Sequence, residues 1–294
     1  MNWFLLALIS AVFSAFAAVS EKKALFSLNP LNFSFLVSLV TLVFSIPFFF
    51  AVNPADITSA GMAVLAFKTI LSASAFLCVM LSLKNLEVSE ALPLLALSPA
   101  LVAVAGVILI NDHLSLLQWT GVAVMVAGAY ILELRKGTTN LLEPLKAVLL
   151  FSKYRYVFIA LFLFMVSSIL DRLLLKGFKL PPYTFMAFQQ LFYALFFLVI
   201  ILFKRVSITA GLKEGGRSLL ILIAAVSVFT VIYRYTQIEA TKLAPVALVL
   251  SVKRLSVLFA VIIGGKLFLE DNLKRRILAV IIILAGAALL MNNA

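Results

Sequence analysis

Ten apolar runs divide this chain, and nothing else constrains its fold so tightly. They lie at Trp3–Val19, Phe33–Val52, Met62–Leu83, Ala91–Ile110, Leu116–Leu134, Tyr156–Leu175, Tyr183–Phe203, Leu219–Ile238, Leu243–Gly265 and Ile277–Met291. A hydrocarbon core about 30 Å thick is crossed by roughly 20 apolar residues in a helix. In lipid every backbone polar group must find its partner internally, which a helix achieves alone. Of the 294 residues, 64% are hydrophobic and 12% charged, against roughly 25% charged in ordinary soluble domains. A water-soluble fold of this length cannot hide so much apolar surface. The expected fold class is an all-α integral membrane protein of ten transmembrane helices, in the cell (inner) membrane.

The net charge of +12 does not point to nucleic acid. The Lys and Arg residues cluster in the short gaps between runs, as orientation signals and headgroup contacts do. The expected partners are a lipid bilayer and a small-molecule substrate. Cys78 and His113 are the sole residues of their types, so neither an internal disulfide nor an ordinary zinc site is expected, and no cofactor. Met1–Ala18 has the apolar core of a signal peptide but lacks a basic start, so it is read as a first span.

The gap from Glu133 to Arg155 is the long one, and it separates five spans from five. The halves resemble each other at one fixed offset: Lys84 falls on Lys242, Val88 on Val246, Ser98 on Ser256, Asp112 on Glu270, and Ala127-Gly128-Ala129 on Ala285-Gly286-Ala287. Apolar matches alone would be weak, but the charged and Ala-Gly-Ala matches favour duplication. Residues 1–136 form the first repeat, 137–154 a linker and 155–294 the second. Five is odd, so the second copy crosses the membrane in the opposite sense. Such inverted repeats place a site between the halves near the midplane. Small residues at Ser10, Ser14 and Ala18, at Ser74, Cys78 and Ser82, and at Gly121 and Gly128 read as helix packing surfaces.

These features resemble the drug/metabolite transporter superfamily, in its ten-helix EamA-type branch. The resemblance rests on an acid, a short turn and a helix ending in Ala-Gly, once per half: Asp112-His113-Leu114-Ser115 leading to Ala127-Gly128, and Glu270-Asp271-Asn272-Leu273 leading to Ala285-Gly286. The first copy carries Asp where the family pattern has Glu, and the second lacks the glycine matching Gly121. The resemblance implies a transporter of small metabolites, with many bacterial members exporters, and leaves the substrate open. The inverted repeats imply alternating access if they exchange conformations, with exchange or facilitated diffusion both open.

Lys253-Arg254 is the sharpest candidate site. The pair lies at the centre of an apolar run, where each cation costs roughly 2.5–3.5 kcal/mol on insertion scales. Both helix ends are about ten residues, or about 15 Å, away, beyond the reach of snorkelling. The pair therefore faces a watery cavity or an internal partner. Adjacent residues point about 100° apart on a helix, so one can meet ligand while the other is held structurally. The segment also resembles the Lys-Arg stretch of triose-phosphate and nucleotide-sugar translocators, which implies an anionic substrate.

Tyr233, Arg234 and Gln237 share faces of span eight, where ligand contact competes with an interfacial aromatic belt. Gln189, with Gln190 and Tyr193 in span seven, reads as substrate contact or as glue between helices. Lys68 in span three is near enough to an end to snorkel. Glu87 and Glu90 at the start of span four read as a gate or as a solvated helix end, and Pro93 and Pro99 are expected to bend or break that helix. No carboxylate stands at the centre of any run. A flippase for a lipid-linked phosphate is the alternative function. An intramembrane lipid-modifying enzyme would need a cluster of catalytic acids or a metal triad that the sequence lacks, so no catalytic residue is assigned. The charge count puts both termini outside, against the family expectation of both inside.

Overall fold

The computed structural model of the chain describes residues 3–98, 100, 101, 104, 107, 115–133, 151–205, 209–243 and 246–291. Among them are ten α-helices: α1 (Trp3–Ala24), α2 (Pro30–Phe49), α3 (Ser59–Asn85), α4 (Val88–Leu95), α5 (Leu116–Glu133), α6 (Phe151–Arg172), α7 (Pro182–Lys204), α8 (Thr209–Leu243), α9 (Val246–Leu267) and α10 (Leu273–Met291). No strand occurs among the described residues. Each helix answers one of the ten apolar runs. Six stretches are both long and apolar enough to cross a membrane: Trp3–Ala24, Pro30–Phe49, Ser59–Asn85, Tyr154–Leu175, Pro182–Lys204 and Gly216–Ala240. The protein is a multi-pass, all-α membrane protein. Asp112, His113 and residues 134–150, which include most of the expected linker, lie outside the described residues. Helix α6 starts at Phe151 and takes in the last residues of that linker.

Local signals set the helix ends. Asn29 caps α2 by accepting the Leu31 N–H at 3.0 Å, with Pro30 at the first helical position. Thr58 caps α3 through the Gly61 N–H at 3.2 Å. These bonds use donors that the first helical turn leaves unpaired. Inside α8, Gly216 takes φ 55° and ψ −153°, so the chain bends sharply before the apolar part begins. The expected break in span four is present: α4 ends at Leu95, and the Ala96 N–H donates to the Leu92 and Pro93 carbonyls. Pro99 itself lies outside the described residues.

Lipid-facing and inward-facing surfaces differ as a bilayer requires. Phe67, Phe162, Leu202, Phe203 and Ile221 point outward. The largest core joins Val19, Phe33, Met80, Leu83, Tyr154, Leu161 and Val226 from helices of both halves. Packing runs chiefly across the halves: α1 lies on α8 and α9, α2 on α7, α3 on α6, and α5 on α10. Helix α2 buries a polar face, Ser34, Ser38, Thr41 and Ser45, three or four residues apart and so on one side.

Candidate functional site

That polar face of α2 opens on a cavity of about 50 Å³. Ser38 and Thr41 of α2, Phe76 of α3, Gln189, Gln190 and Tyr193 of α7, and Thr230, Tyr233 and Arg234 of α8 line it. Three of the residues expected to contact substrate, Gln189, Tyr233 and Arg234, therefore meet in one place. Arg234 has no acid within ion-pair distance among the described residues. The aromatic-belt reading of Tyr233 and Arg234 does not hold. Helix α8 continues to Leu243, so both residues lie well inside it and face the bundle.

Hydroxyls in and beside the lining are already engaged. Ser38 Oγ donates to the Phe35 carbonyl at 2.7 Å. Ser72, beside Tyr193, donates to the Thr69 carbonyl at 3.2 Å. Gln189 is fully buried, and neither its amide nitrogen nor its amide oxygen has a hydrogen-bond partner. The Thr41 hydroxyl is also buried without a partner.

Lys253 and Arg254 part company, as their angular separation on α9 requires. Lys253 Nζ donates to Gln237 Oε1 and lies 4.9 Å from the centre of the Tyr233 ring. Lys253 and Gln237 thus stand behind the cavity wall that Tyr233 forms. Arg254 turns the other way and donates to the Ser98 hydroxyl, just past the break in span four. The structure brings five of the six expected residues together and leaves Arg254 apart from them.

Lys68 does not snorkel. It is wholly buried, 2.8 Å from the Asp171 carboxylate and 4.9 Å from the centre of the Phe185 ring. Asp171 ends α6 just before a π-helical turn at Leu173–Gly177. Sequence reasoning passed over this acid because it sits near the end of its run. Lys253 lies within electrostatic range of it, and Arg234 within range of both Lys68 and Lys253. Near the cavity, then, Asp171 is committed to Lys68 and buried Glu21 lies within electrostatic range of Tyr233, while Arg234 and Lys253 have no acid at ion-pair distance among the described residues.

The two ends of the bundle are held by different contacts. At the end where α1 and α3 finish and α4 begins, Glu270 accepts the Val88 and Ser89 N–H groups at 2.8 and 3.0 Å and also the Ser89 hydroxyl. Arg276 pairs with Glu87 and donates to Ser89 Oγ at 2.5 Å. Lys22 Nζ donates to the carbonyls of Leu83 and Leu86 at 2.5 and 2.7 Å, and the Tyr154 hydroxyl donates to Glu90 at 2.6 Å. Glu90 is thus hydrogen-bonded, while Glu87, paired with Arg276 yet 41% exposed, is partly solvated as well. At the opposite end the rings of Phe48, Tyr183 and Tyr235 cluster, with centroids 5.4 to 6.3 Å apart. Phe48 is about two helical turns beyond Thr41, between the cavity and that end.

Known proteins share this architecture. A solved crystal structure matches with a TM-score of 0.66 at 16% identity, over 98% of this chain and 95% of its own, which shows a common fold. A curated Sinorhizobium protein, described as an uncharacterized transporter in the cobO 3' region, is 30% identical over 136 residues, 45% of this chain and 96% of that relative. Residues 1–134 match the model of the EamA-like transporter family. On this fold, this packing and these matches, the chain is a membrane transporter that belongs to the EamA-like transporter family.

Proposed function

We propose that the protein carries small anionic metabolites through the cavity between α2, α7 and α8, by alternating access, as an exporter or exchanger in the cell membrane. The observation that carries this reading is Arg234. It lines the cavity with no acid at ion-pair distance among the described residues, and Lys253 stands behind Tyr233 in the same state. A cation inside a membrane-spanning helix without a counter-ion is costly. An anionic ligand supplies the missing charge, and guanidinium offers a planar fork of donors to a carboxylate or phosphate.

The packing scheme supports alternating access by two inverted repeats. Exchanging first-half helices for their second-half counterparts turns α1 on α8 into α6 on α3. It returns α2 on α7 and α5 on α10 to themselves. A two-fold relation between the halves would produce such pairs, and exchange of conformation between repeats is how that architecture exposes one site to each side in turn.

Uptake into proteoliposomes tests the reading. Labelled carboxylates and phosphates are expected to enter in preference to cations of similar size. Arg234→Gln and Lys253→Gln are expected to lower the rate by about tenfold or more, the scale of one lost charge-assisted bond. Selectivity for cations, or normal transport by both variants, overturns it.

A further inference from the structure

The cavity holds more than a charge anchor. Gln189 contributes a carboxamide, two donors on nitrogen and an acceptor on oxygen, that is fully buried and bonded to nothing. Across the cavity on α2, the Thr41 hydroxyl is in the same condition. Burying such groups unpaired costs stability that an apolar residue of the same shape would not. Ser38, their neighbour on α2, is already engaged by the Phe35 carbonyl. Both residues line the same cavity as Arg234, with their unmet atoms just beneath its wall. By volume, about 50 Å³ holds about three or four waters, or a ligand head group of similar size.

We propose that the transported anion bears hydroxyl groups close to its charge, and that Gln189 and Thr41 read a hydroxyl while Arg234 holds the charge. This rests on the anion reading above and narrows it. A hydroxyl both donates and accepts, so it can satisfy the Gln189 oxygen or nitrogen and the Thr41 oxygen together. A plain alkyl anion fills the same space and leaves all of them unpaired. A site built this way discriminates strongly against an analogue that lacks the group.

The test uses purified full-length protein and matched pairs differing in hydroxylation: glycerate and propionate, malate and succinate, glycerol 3-phosphate and propyl phosphate. Thermal stabilisation is measured against concentration. The hydroxylated member of at least one pair is expected to act at roughly ten- to a hundredfold lower concentration, the scale of unpaired buried partners. Gln189→Leu and Thr41→Val are expected to abolish that difference while the response to the plain anion remains. Arg234→Gln is expected to abolish the response to both members. The unliganded Gln189→Leu protein is expected to be at least as stable as the parent, since it loses an unmet amide. A purely structural glutamine would instead make that variant less stable, and this result overturns the proposal. Equal action of both members throughout, or a preference that survives both substitutions, also overturns it and spares the anion reading. No response to any anion from folded protein overturns both.

Discussion

Lys68 shows how much a single position depends on its partner. The side chain is wholly buried and its counter-ion, Asp171, is 31% exposed. Removing one member of a buried pair leaves an uncompensated charge and costs about 3–5 kcal/mol, whereas replacing both by apolar residues is often neutral. Asp171→Asn is expected to fall toward the lower end of that range because water reaches part of the carboxylate. The double variant Lys68→Met with Asp171→Leu should recover most of the loss. Thermal denaturation of the four proteins, read as a cycle, checks this, and additive losses would mean that the pair is not coupled. Lys253 and Arg254 make the complementary case. Arg254 is tied to Ser98, away from the cavity, so Arg254→Ala is expected to lower the melting temperature with little change in the KM for transport. Lys253→Ala, behind Tyr233, is expected to change KM. Equal effects on both measures would remove the distinction between the two cations.

Helix α5 packs on α10 through glycines that leave no room for a side chain. A methyl group at Gly128 would sit 2.7 Å from Ile283 Cγ1, and one at Gly286 only 2.7 Å from the Gly121 carbonyl oxygen. The matched Ala-Gly-Ala motifs are thus explained by close helix approach. Gly286→Ala is expected to destabilise the protein by about 1–3 kcal/mol, as overpacking does, with Gly286→Val worse. A thermal shift of detergent-solubilised protein reads the loss, and an unchanged melting temperature would contradict the contact. Elements of this kind were legible in the sequence because length and hydropathy define a span and small residues mark a seam. Their ends were less so. Helix α8 runs beyond Ile238 to Leu243, because Glu239 and Lys242 are acceptable in a helix although they break an apolar run. The site was legible where it carried a cation or an amide inside lipid-facing sequence, as at Arg234, Lys253 and Gln189. It was not legible at Asp171 or Thr41. Asp171 stands near a run's end, and Thr41 belongs to a row of hydroxyls that reads as ordinary helix. Only the packing of α2 on α7 and of α3 on α6 gives them a role.

For the molecule as a whole, the two ends are held by contrasting chemistry. Glu270 ties the second half to the start of α4, and Arg276 ties it to Glu87 and Ser89. Glu270→Gln is expected to weaken that closure and raise labelling of a cysteine introduced near Leu86, with Cys78 replaced by Ser beforehand. Unchanged labelling would show that the network does not hold this end shut. The other closure is a stack of rings. Dissolved ions screen the exposed side of the charged network, where Glu87 is 41% open, far more than Glu270, which is 3% exposed, while excluded salts such as sulfate strengthen apolar association. Brine is therefore expected to loosen the charged end from its rim inward while leaving the aromatic end intact, so the stability of the two ends becomes a property of the solution as well as of the sequence.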